Sequence, residues 1–201
     1  EGLAQGAPYL SVAAKTASTM KLTEVVPDLQ KSFNQSGNQP GNQPGNQPDD
    51  WTLILALGEL ANDSQKRSLA ADWQRRLPKL ESPAQVAMIE TLAQWGQPLS
   101  REQFDSSLSD KYPGVRLAAA RAFFKTRTKL SLTEQQERYR KAFSAKPYQV
   151  RLSAMTDFSQ LDAKERESLA GVIDQQFKKA CASESKAEVK DECQKLLKEA
   201  K

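Results

Sequence analysis

Histidine does not occur anywhere in the chain. Its absence removes the side chain that titrates near neutrality. With it go His-based acid and base catalysis, the Ser-His and Cys-His nucleophile arrangements and most zinc and non-haem iron sites. Cysteine is scarce: Cys181 and Cys193 are the only two, too few for a four-cysteine zinc site. Glycine clusters once, in a tract periodic with proline and followed by neither Lys-Ser nor Lys-Thr, so no phosphate-cradling loop is present. No cofactor or metal is expected. No apolar run approaches the roughly 18 residues of a membrane span, and Glu1 to Leu10 has neither the basic nor the apolar region of a secretory signal. The chain opens without Met, which fits a processed product from which an upstream signal or lipid anchor could have been removed.

What is present points to helices. Aromatic residues make up only 7% of a composition that is 38% hydrophobic and 27% charged, which suits a helix-rich protein better than a β-sandwich. At 201 residues the chain can build a real core, burying about 70% of its unfolded surface. The formal net charge is +4, from 29 basic and 25 acidic residues. Lys and Glu alternate finely along the chain instead of gathering Lys and Arg on one face, which argues for a solvated surface and against a nucleic-acid footprint.

The clearest element is Pro113 to Phe124. Val115, Ala118, Ala119, Ala122 and Phe123 form one helical stripe, and Leu117, Ala120 and Phe124 a second. A helix apolar on both sides must lie between neighbours, and its alanines let them come close. Similar patterns begin at Trp51, Pro83 and Pro147. Anchored on Ile54, Val86, Val115 and Val150, they recur at spacings near those of helix-pair repeats. A second series alternates with the first. Leu99-Ser100 with Gln103, Leu132-Thr133 with Gln136, and Leu161-Asp162 with Glu165 each place an apolar residue, an N-cap and a capping-box partner at the start of a helix. The last of these helices is expected to run unbroken from Asp162 to Ala180, burying Leu169, Val172, Ile173 and Phe177. Ser82 before Pro83 reads as a further N-cap.

The expected fold is therefore all-α. It is an α-α superhelix, or solenoid, of about four helix pairs with an N-terminal helical segment and a C-terminal capping helix near Lys186 to Ala200. The segments are 1–33, a helical pair broken at Val26-Pro27; 34–50, a flexible linker built on three Gly-Asn-Gln-Pro tetrapeptides; and 51–201, the repeat region.

The stretch Pro113-Gly-Val115-Arg116-Leu-Ala118-Ala-Ala120, with Asp110 five residues before the Val, resembles part of a HEAT repeat, and Pro147 to Ala154 resembles it through Val150-Arg151. The resemblance implies that the Val and Ala positions pack the core. In the family the Asp and Arg positions usually link neighbouring repeats, which implies that Arg116 and Arg151 are structural rather than ligand-binding.

Function is less legible. Cys181 continues the stripe of Ile173 and Phe177, and Cys193 shares a face with Val189, Leu196 and Leu197. The two thiols can be buried and reduced, or joined; a disulfide is the expectation, and with it an oxidising, extracytoplasmic compartment such as a periplasm. A stack of helix pairs offers an extended face, so the expected role is a non-catalytic scaffold that binds a protein or peptide partner. Counting 100° per residue from the apolar positions places Glu134, Glu137 and Lys141 on the exposed side of one second helix, and Lys164, Glu167, Asp174 and Lys178 on the next. These seven residues are the expected binding face. A nucleic-acid backbone binder or a HEAT-like DNA glycosylase is the alternative, and interleaved charge counts against it.

Overall fold

The computed structural model describes residues 7–36, 50–172 and 175–199. The repeated tetrapeptides, Ile173 and Asp174 lie outside them. All regular elements among the described residues are helical, with no strand. They are α1 (Ala7–Thr19), α2 (Val26–Ser36), α3 (Asp50–Leu60), α4 (Asp63–Arg76), α5 (Ser82–Gln94), α6 (Arg101–Leu108), α7 (Pro113–Thr126), α8 (Leu132–Phe143), α9 (Tyr148–Ser159), α10 (Ala163–Ser168), α11 (Gln175–Ala182) and α12 (Ala187–Glu199). Short 3-10 turns follow several of them. Asn34 to Ser36 and Asp50, assigned from sequence to the linker, belong to the ends of α2 and α3. The chain divides into two compact units, residues 1–99 and 100–201, and the expected repeat region 51–201 is shared between them.

The first unit is built around α3. Leu53, Ile54, Ala56, Leu57 and Leu60 are buried on this helix while Trp51 and Leu55 stay exposed; α1, α2 and α5 all pack on it. The N-terminal helical segment thus belongs to this core, burying Ala14, Ala17, Val26, Leu29 and Phe33. Asn62 and Gln65 exchange a reciprocal capping box that starts α4. That helix delivers Trp73, which stacks on Trp95 at 4.8 Å and meets Phe33 edge-on at 6.2 Å. Ser82 is the first residue of α5 and not its cap; Glu81 takes the cap position without a side-chain bond. The helix stops at Gly96, whose φ of 69° turns the chain so that the Gln97 N–H reaches the Leu92 carbonyl at 2.9 Å.

In the second unit α7 is buried on both stripes, through Val115, Ala118, Ala119, Ala120, Ala122, Phe123 and Phe124. It packs on α6 and α9, and α9 in turn on α8 and α12. An aromatic chain runs through the core: Phe104 to Phe123 at 5.6 Å, Phe123 to Tyr139 at 4.9 Å, Tyr139 to Phe158 at 5.2 Å, and Phe143 to Phe177 at 4.9 Å. The expected boxes at Ser100–Gln103 and Asp162–Glu165 form. The third is displaced by two residues: Ser131, not Thr133, caps α8, with Glu134 as its partner. Two overlapping boxes compete here, and the earlier one gains two helical residues and a charged acceptor on the cap. Leu132 is then inside the helix and 47% exposed.

The helix expected over Asp162 to Ala180 is broken. It ends at Ser168, resumes as a 3-10 turn at Ala170–Val172 and continues as α11. Gly171, a poor helix former, sits in the break. The carbonyls released there are taken by α8: Gln136 Nε2 donates to Ser168 O at 3.2 Å and Arg140 Nη2 to Gly171 O at 2.8 Å. Leu169, Val172 and Phe177 remain buried.

Candidate functional site

Two arginines at equivalent places build the candidate site. α7 and α9 start after turns with no side-chain cap, and in each turn two backbone carbonyls accept from an arginine of the helix that follows. Arg116 Nη1 donates to Asp110 O at 2.6 Å and Lys111 O at 3.0 Å. Arg151 Nη1 donates to Ala145 O and Lys146 O, both at 2.7 Å. Each guanidinium therefore fastens the turn that precedes its own helix. Asp110 does not pair with Arg116; its Oδ1 accepts the Tyr112 N–H at 2.7 Å within the same turn. Arg151 also reaches onward. Its Nη2 and Nε meet Glu184 Oε2 at 2.6 and 2.8 Å, in the turn between α11 and α12. Burial would raise the Glu184 carboxyl, but the Lys186 and Ser185 N–H groups and the Arg151 guanidinium together hold it below its ordinary range.

These three turns border a groove of about 1000 Å³, bounded by Asp105, Asp110, Lys141, Lys146, Tyr148 and Lys186, with Arg116 and Arg151 in its wall. The charges are not equivalent. Lys141 is bonded to Asp105, and Arg151 is neutralised by Glu184. Lys146 and Lys186 are exposed and have no carboxylate partner among the described residues. The Lys186 ammonium stands 5.4 Å from the centre of the Tyr148 ring. The walls of the groove are thus tied by internal hydrogen bonds, with Lys146 and Lys186 beside an aromatic ring.

The residues expected to form the binding face are dispersed. Glu134 is spent on the α8 cap, accepting from the Ser131 N–H at 3.1 Å and Oγ at 2.7 Å; these bonds lower its pKa. Glu137 is half-buried and pairs with Arg101 at 2.9 Å, while Lys141 turns to Asp105 on α6. Helix periodicity placed both on the exposed side because it cannot see that α6 runs alongside. Lys164, Glu167 and Lys178 are exposed on α10 and α11, and Asp174 lies outside the described residues. Only Lys141 borders the groove. Lys146, Tyr148 and Lys186 were missed, although the recurrence of Pro before Val-Arg at residues 113 and 147 marked two of the three turns. Cys181 and Cys193, both buried, stand at disulfide distance with Cα atoms 5.6 Å apart. No protein-family model matches the sequence, and no curated protein matches it either.

Proposed function

We propose that the chain is a non-catalytic interaction module, a HEAT-like stack of helix pairs that receives a protein or peptide partner in the groove at the turns before α7, α9 and α12. The observation that carries this reading is the groove itself: its walls are pinned by Arg116 and Arg151, while the cations of Lys146 and Lys186 are left for another molecule. Prepaid ordering of a site lowers the cost of binding. The stacked arrangement is supported in the second unit by the succession of α7, α9 and α12 packed in turn, and by α8 bonding to α6 on one side and to the Ala170–Val172 turn on the other. The Cys181–Cys193 pair favours an oxidising, extracytoplasmic location.

The test is site-specific photo-crosslinking in extract of the source organism. A photoreactive side chain at Tyr148 should give a discrete protein adduct, and one at Glu167 on α10 should not. An adduct from Glu167 with none from Tyr148 would move the site to the second-helix face; none from either would end the interaction reading.

A further inference from the structure

We infer that the ligand of this groove is an acidic peptide segment whose carboxylates are received by Lys146 and Lys186; this rests on the interaction reading and names its partner chemistry. The charge inventory selects it. Of the cations around the groove, Lys141 is cancelled by Asp105 and Arg151 by Glu184. Lys146, Lys186 and Arg116 have no carboxylate partner among the described residues. Against them stands Asp110, one oxygen of which is held by the Tyr112 N–H. The remaining field is positive, and its mobile cations are lysines.

The distribution of charge favours carboxylates over a phosphate backbone, because Lys and Glu alternate along the chain instead of gathering Lys and Arg on one face. The planar arginine fork offers two parallel donors to a carboxylate or a phosphate. Here the Arg151 fork is occupied at Nε, Nη1 and Nη2 by Glu184, Ala145 and Lys146, and Arg116 Nη1 is held by two carbonyls. With these donors engaged, the exposed point charges of Lys146 and Lys186 are left to meet single carboxylates along an extended chain. A groove of about 1000 Å³ is at the upper end of small-ligand sites and has room for a short run of residues. The Tyr148 ring, which also lines the groove, lies 5.4 Å from the Lys186 ammonium and steadies it by a cation–π contact.

Fluorescence anisotropy on the intact protein tests this. The probes are a labelled Glu-rich peptide, the same peptide with Gln for Glu, and a single-stranded oligonucleotide. The Glu peptide should bind at low salt, the Gln peptide about tenfold or more weakly, a difference of about 1.4 kcal/mol, and added salt should weaken the Glu complex. K146E/K186E should lose about tenfold or more, and K164E/K178E, which reverses exposed charges on α10 and α11, should not. Both lysines of the first variant are exposed, so its melting curve should match the wild type. Equal binding of Glu and Gln peptides, no Glu-peptide binding, or an unchanged Kd for K146E/K186E would each overturn the inference. Oligonucleotide binding with the same lysine dependence would overturn it in favour of a phosphate backbone. A Tyr148 adduct whose contacting segment is not acidic would leave the interaction reading standing and remove this one.

Discussion

Tyr139 carries two demands at once, filling the aromatic core and delivering a hydroxyl to it. Its OH donates to Asp157 Oδ2 at 2.6 Å, and Arg127 approaches the other carboxylate oxygen at 3.6 Å while reaching Glu165 at 3.6 Å. Burial pushes the Tyr139 phenol far above its ordinary range, and the adjacent Asp157 charge adds to it. Burial also raises Asp157, only partly opposed by the Tyr139 hydrogen bond and by Arg127. Removing the hydroxyl leaves a half-buried carboxylate oxygen without its donor, so Tyr139→Phe should destabilise by about 1–2 kcal/mol in urea unfolding. The sign of the pH effect follows from the raised pKa. Folding favours the protonated acid, so this contribution is fully present below the unfolded value of about 3.9 and is lost as pH rises through the higher folded value. The stability of wild type minus that of Asp157→Asn should therefore fall across that window. A difference that rises with pH would reverse the assignment. Glu102, Glu134 and Glu184, all held below their ordinary range, slope the opposite way, which is why the difference curve and not the wild-type curve is diagnostic.

Among the elements, α3 and α5 come close where Gly58 faces Thr91. A Cβ on Gly58 would lie 2.7 Å from Thr91 Cγ2, and Trp95 Nε1 donates to the Gly58 carbonyl at 3.1 Å in the same seam. In an open helix, Gly to Ala gains about 1 kcal/mol. Here Thr91 is buried and its branched side chain is stiff about χ1, so the helices must separate. Gly58→Ala should cost about 1–3 kcal/mol, as overpacked cores do, seen as a lower Tm with helicity retained. A raised Tm would mean that the seam relaxes freely. The same scale explains which elements were legible in advance. Capping boxes at Ser100 and Asp162 involve groups within one turn, and they stand where the residues predict. The break after Ser168 is marked locally only by Gly171, and its freed carbonyls are taken by Gln136 and Arg140 from α8, some thirty residues earlier in the chain.

For the molecule as a whole, the Cys181–Cys193 link is the covalent choice left open by its environment. It would span α11 and α12 and enclose Glu184 and Lys186, the turn that forms one side of the groove. A bond closing so short a loop stabilises by about 3 kcal/mol or less. Protein from its native source, alkylated without reductant, should keep both thiols unmodified by intact mass. Reduction should lower Tm and weaken Glu-peptide binding together, because the turn carrying Lys186 loses its tether. Two alkylated thiols in native material would remove both the bond and the extracytoplasmic assignment.

Residue order alone determined that the chain is helical and which faces point inward, above all the double stripe of α7, because periodicity and capping are set by groups one or two turns apart. It also determined that Cys181 and Cys193 fall on inward faces. Tertiary structure decided which polar residues are spoken for. Glu137 and Lys141 satisfy the helical count for exposure, yet α6 brings Arg101 and Asp105 against them, and Arg151 is neutralised by a glutamate 33 positions later. Lys146 and Lys186 belong to one groove only because α9 and α12 pack side by side. Charge is a property of each residue, but whether it is cancelled depends on neighbours that the fold supplies, and that is why the candidate site emerged from packing while the helices were already written in the spacing.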